Sequence, residues 1–181
     1  TIPEKEGWIN RDKLLSIRGR SRKIQLELVK KFGIKNYPCP AGGCLLTDPN
    51  FSHRIKDLMK YSPDFNLKDV RLLKLGRHFR LSDETKLIVG RNQKENEQLL
   101  NFNLENSLFF YPLQAKGPVA LGRGFFDKDL IFLSARIVAY YCDKENLDSS
   151  LKIIYKDSSL DLVQTLEVYP LASLSIKELR I

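Results

Sequence analysis

Cysteine, histidine and long apolar runs are scarce in this chain. Three cysteines occur among its 181 residues: Cys39, Cys44 and Cys142. An odd, low number argues against a disulfide scaffold and for a reducing compartment, so the expected location is the cytoplasm. Apolar runs such as 130–133 are far too short to cross a bilayer, and no membrane partner is expected. Cys39 and Cys44 stand at a C-x4-C spacing with no second Cys or His pair after them, and His53 is a lone imidazole, so no metal site is expected. Residues 1–12 have no apolar core of the kind a secretory signal needs. The chain starts at Thr1 without an initiator methionine, which fits processing or a segment of a longer protein. No internal repeat or low-complexity tract is visible.

What is present suits a globular protein: 43% hydrophobic and 29% charged residues, in a length that holds one sizeable domain or two small ones. The net charge is +8, which favours a polyanionic partner through phosphate contacts. The charge is also unevenly placed. Arg11, Lys13, Arg18, Arg20, Arg22, Lys23, Lys30 and Lys31 crowd a short N-terminal stretch that holds only Asp12 and Glu27 as acids.

Periodicity predicts the elements. Residues 12–15 begin a short helix, and Ser21 is the expected N-cap of a basic helix carrying Ile24, Leu28 and Phe32, which ends at Gly33. Residues 35–50 are loop. Asp48-Pro49 opens a helix with Phe51, Ile55, Leu58 and Met59 on its apolar face, and residues 61–64 break the pattern. That break sets the expected division: a helical segment over 1–62 and a mixed domain over 63–181. In the second part, 70–75 reads as a strand and 78–81 with 86–89 as a hairpin. Residues 92–100 read as a helix capped by Asn92, with Glu95 three residues on. Strands follow at 108–113, 118–122, 151–155 and 162–169, and Asp127 caps a longer helix with Leu130, Leu133, Ile137 and Tyr141. Residues 170–181 carry no clear pattern. The expected fold class is α+β, a small helical N-terminal segment followed by a mixed domain with an antiparallel sheet.

Two groups of residues could carry function. Cys44 follows Gly42 and Gly43 and precedes a helix start, beside a basic segment. Flexible backbone, a helix N-terminus and nearby cations together favour a reactive thiolate. Free cysteine is also among the most buried residue types, so Cys44 equally fits a small residue packing a tight turn. Cys39 is a weaker candidate, through a Cys39–Cys44 disulfide, and Cys142 reads as core. Asp48 reads as a helix cap. The second group is cationic. Arg77, Arg80, Lys86 and Arg91 flank the hairpin and would form a phosphate-binding strip if they shared a sheet face. Arg123 stands between Gly122 and Gly124 in a turn that can present a cation to RNA. Asn92 and Asn96 fit either helix caps or phosphate ligands. Phe79 and the run Phe109, Phe110 and Tyr111 read as core strand rather than a stacking platform, and His78 as structural.

Two segments carry family resemblances. Residues 19–58 place a basic helix ending in glycine, a Gly-Gly-Cys turn and a short helix with phenylalanine near its start. This order resembles the segment after the ATP-binding core of PP-loop tRNA thiouridine synthases, the MnmA-like and thiouridylase-like enzymes. Residues 78–143 place a hairpin ending in Gly90-Arg91-Asn92, a helix with Glu95-Asn96-Glu97, a strand, Gly117-Pro118 and an alanine-containing helix. This order resembles the RNA-binding domain of NFACT proteins. The first resemblance implies ATP-driven activation of a uridine and sulfur delivery through Cys44, with Arg18, Arg20, Arg22 and Lys23 holding the RNA backbone. The Ser-Gly-Gly-type PP-loop turn is absent from the sequence. No cofactor is therefore expected in this chain, and ATP belongs to a PP-loop domain supplied in cis or in trans.

The expected role is the RNA-binding portion of a tRNA-thiolating sulfurtransferase, incomplete as an enzyme by itself, with tRNA or another structured RNA as partner. Two other readings compete: a non-catalytic RNA-binding module in which Cys44 is structural, and an interaction domain that docks on a separate PP-loop ATPase.

Overall fold

The computed structural model describes residues 1–18, 22–35, 45–102, 107–143, 149–157 and 163–181. Ser21, Cys39 and Cys44 lie outside the described residues, as does Arg20. The chain forms two compact units, Thr1–Gly42 and Gly43–Ile181.

In the first unit, helix α1 (Ile2–Lys5) and a 3-10 turn at Arg11–Lys13 precede the basic helix α2 (Lys23–Lys31). None of these elements buries a residue. Trp8, Leu14, Leu15 and Phe32 are all exposed.

The second unit is built on alternation. Strands β1 (Arg77–Arg80), β2 (Lys86–Val89), β3 (Ser107–Pro112), β4 (Ala120–Arg123), β5 (Leu151–Asp157) and β6 (Val163–Val168) form one sheet in the order β1-β2-β4-β3-β5-β6. Every neighbouring pair is antiparallel, and with the helices this makes the fold α+β. Successive side chains of a strand point to opposite faces, so the register sorts the residues. Phe79, Leu87, Val89, Leu108, Phe110, Ala120, Ile153 and Val168 fall on one face. They bury against helix α6 (Lys128–Tyr140) and Ile176 of the short helix α7 (Ser173–Leu179) in the main core. Phe79 and Phe110 are fully buried there, and Cys142 joins them. Burying an aromatic or branched aliphatic side chain contributes about 1.5–3 kcal/mol each, so this face supplies most of the stabilisation. Gly122 is required in it, because a Cβ there would stand 2.5 Å from the Phe126 ring.

Among the described residues, the opposite face is covered over only part of its width. Helix α3 (Pro49–Tyr61) starts at Asp48, whose carboxylate accepts from the Phe51 N–H at 2.8 Å. Helix α4 (Leu67–Leu72) replaces the strand expected over 70–75. The Asn66 side chain accepts from the Lys68 and Asp69 N–H groups, and Asp69 accepts from the Asn66 N–H. This reciprocal cap satisfies the first donors of a helix and overrides the strand-like composition. Leu72 and Leu99 cover Ile88 and Leu121, and Phe51, Leu58 and Leu73 pack together beside them.

The division between units at Gly42 and Gly43 comes before the break at 61–64 read from the sequence. A buried ion cluster explains it. Asp57 of α3 accepts from Arg80 of β1 at 2.6 and 3.0 Å and from Lys86 of β2 at 2.9 Å. Arg54 of the same helix donates to the Leu73 carbonyl at 2.9 Å. Helix α3 is thereby fastened to the sheet.

Candidate nucleic-acid interface

The cations around the hairpin are distributed by parity. Arg80 lies opposite Lys86, and Lys86 opposite Arg123, so three cations form one row across β1, β2 and β4. Arg77 is three residues from Arg80 and therefore faces the other side. Its guanidinium lies 4.5 Å from the centre of the Tyr141 ring and donates to the Gly90 carbonyl at 3.0 Å. Arg91 lies beyond the strand end, held by Glu95 at 2.9 and 3.0 Å. The structure thus brings Arg80, Lys86 and Arg123 together and sets Arg77 and Arg91 apart from them.

The row is ion-paired. Asp57 holds Arg80 and Lys86, and Asp69 accepts from Arg123 at 3.2 Å. Burial alone would raise the Asp57 pKa, but hydrogen bonds from Arg80 and Lys86 outweigh it and hold the carboxyl below its usual range. Burial lowers the Lys86 pKa, against the pull of Asp57. His78 is fully buried behind this row. Burial, with the charges of Lys86 and Arg54, keeps its imidazole well below the usual value, and the neutral ring donates to the Leu75 carbonyl at 2.8 Å.

The Gly-Arg-Asn and Glu-Asn-Glu motifs form a structural knot around helix α5 (Gln93–Leu100). Asn92 caps the helix by accepting from the Glu95 N–H at 3.0 Å. Glu95 accepts from the N–H groups of Gly76 and Arg91. Asn96 accepts from the Val119 N–H at 3.1 Å. Gly90 makes room for that amide, since a Cβ would stand 2.1 Å from Asn96 Oδ1.

The run Phe109, Phe110 and Tyr111 divides between the faces, which the sequence reading missed. Phe110 enters the main core, whereas Phe109 and Tyr111 stand half-buried on the opposite face. Phe109 lies opposite Lys156 and Tyr111 opposite Ile154; Lys156 in turn lies opposite Val163, and Ile154 opposite Thr165. Val163, Thr165 and Lys152 are exposed. This half of the sheet carries rings and lysines side by side. A cleft of about 480 Å³ opens on it, lined by Leu100, Phe109, Tyr111, Val119 and Lys156. The available signal was period-two alternation: of two consecutive strand residues, one must face away from the main core.

Arg18, Arg22 and Lys23 of the first unit are exposed.

The architecture is one antiparallel sheet with helices over one face and over part of the other, where aromatic rings and lysines stand side by side. The family model of the NFACT protein RNA binding domain matches residues 76–180, more than half of the chain, and the chain belongs to that family. No curated protein matches the chain. Among solved structures, it is similar to the C-terminal part of the fibronectin/fibrinogen-binding protein from Streptococcus suis. That match has a TM-score of 0.50 at 14% identity and covers 71% of this chain and 67% of the other. Identity that low speaks for the fold alone.

Proposed function

We propose that this chain is an RNA-binding module whose contact surface is the open half of the sheet. The carrying observation is Phe109 and Tyr111 standing beside Lys156 on the face that α6 leaves uncovered, in a chain of an RNA-binding family. Aromatic rings stack on bases of any sequence, and lysines meet the phosphates. Of the cations read from the sequence, Arg123 borders this face through the row it shares with Lys86. Arg18, Arg22 and Lys23 would add backbone contacts from the first unit.

The test is RNA binding against salt. Each phosphate neutralised adds about 0.7–0.9 to the slope of log affinity against log salt. Exchanging Lys152 and Lys156 for glutamine is expected to lower that slope by up to about 2. An unchanged slope would remove these lysines from the interface.

A narrower reading makes the chain the RNA-binding portion of a uridine-thiolating enzyme, with Cys44 handling sulfur and ATP bound by a separate PP-loop domain. It is supported by the resemblance of residues 19–58 to such enzymes. It predicts a Cys44 that iodoacetamide alkylates much faster than free cysteine at pH 7, with the rate falling as the thiolate is protonated. Alkylation no faster than free cysteine would leave a plain RNA-binding module.

A further inference from the structure

The cleft beside Phe109 and Tyr111 is one end of a longer groove. A second depression is lined by Leu100, Tyr111 and Val119, which it shares with that cleft, and by Gln93, Asn96, Lys116 and Gly117. A third, of about 260 Å³, shares Gln93, Asn96 and Gly117 with the second and reaches Arg77, Arg91 and Asn92. The three therefore follow one another along α5, between that helix and the segment linking β3 to β4. Their character changes along the way. The end at the C-terminus of α5 is apolar and aromatic, with Leu100 and Val119 walling the rings. The other end is polar, with two arginines at the N-terminus of the helix.

We infer that this groove binds a short run of unpaired RNA nucleotides, resting on the RNA-binding reading above and naming its substrate class. The bases lie on Phe109 and Tyr111 against Leu100, and the phosphates run past Lys116 and round the end of the sheet toward Arg91 and Arg77. Eight residues of helix span about 12 Å, the length of roughly three stacked nucleotides at about 3.4 Å each. Base faces are buried inside a duplex and cannot meet two rings set into a cleft, so paired RNA is excluded from the track. Asp143 at the polar end and Glu97 in the middle depression oppose the phosphates.

The experiment measures affinity of the whole chain for a labelled 12-nucleotide mixed-sequence single strand and for the same strand annealed to its complement. Leu100→Glu places a carboxylate at the apolar end of the groove, beside the rings, at a side chain already 51% exposed, so the fold tolerates it. Leu174→Glu, at a position 71% exposed on α7, is the control. The single strand is expected to bind about tenfold or more tighter than the duplex, and Leu100→Glu to remove most of that difference while Leu174→Glu leaves it intact. Equal binding of strand and duplex, or indifference to Leu100→Glu, overturns the groove and leaves the RNA-binding reading standing. Binding of neither RNA overturns both.

Discussion

Exchanging Phe109 and Tyr111 together for leucine is expected to weaken single-stranded RNA binding by about thirtyfold or more. Stacking on an aromatic ring contributes about 1–3 kcal/mol per base, and two such positions together reach at least that ratio. The two residues sit at i and i+2 of β3, so they share a face and a neighbourhood. Leucine is the informative replacement because both rings are half-buried, and it keeps apolar cover over Leu121 and Val119 while removing the flat surface. Alanine would mix lost stacking with lost packing. A urea melt of the double variant checks that the fold persists. Equilibrium titration with a fluorescent oligonucleotide then reads the loss. Wild-type affinity in a folded double variant would take the rings out of the interface.

The second large effect concerns stability. Removing Asp57 by exchange for alanine is expected to cost about 3–5 kcal/mol, because Lys86 and Arg80 would remain buried without their shared partner. The side chains of Asp57 and Lys86 are each 9% exposed and that of Arg80 is 15% exposed, so water replaces the carboxylate poorly. The cluster also fastens α3, so the variant should lose that helix from the sheet before the core opens. The pH dependence has a definite sign. The Asp57 pKa is lower in the folded chain than in the unfolded one, so its contribution is complete above the ordinary value of 3.8 and is lost as pH falls through the folded value. His78 behaves in the same direction for a different reason. Its folded pKa is lowered by burial, so the unfolded chain takes up a proton first and stability declines as pH falls below 6.5. Because His78 is common to wild type and an Asp57→Asn variant, their difference isolates Asp57: constant at neutral pH and narrowing below about pH 4. Chemical denaturation across pH measures this, and a difference that widens toward acid would contradict it.

Much of the fold was legible in the sequence because its signals are local. The hairpin 78–81 with 86–89, the cap at Asp127 and the later strands all follow from short-range pattern. Residues 70–75 were misread because their apolar texture suits either element, and only the reciprocal Asn66–Asp69 cap decides for helix. The candidate site was less legible. A basic residue in a sequence does not say whether a carboxylate far along the chain will claim it. Asp57 lies 23 residues before Arg80, and Asp69 lies 54 residues before Arg123, so neither pairing is visible before the sheet forms. The groove was hidden for the same reason. It joins α5 to the β3–β4 segment, and the roles of Leu100 and Tyr111 depend on the register that places them side by side.

The most direct test of the account is binding of total tRNA and of a single-stranded oligonucleotide to the intact chain across a salt series. The account predicts saturable binding that weakens steeply with salt, with affinity for the oligonucleotide reduced by the Phe109/Tyr111 exchange. Absence of binding at low salt, or binding blind to both salt and those rings, would contradict it.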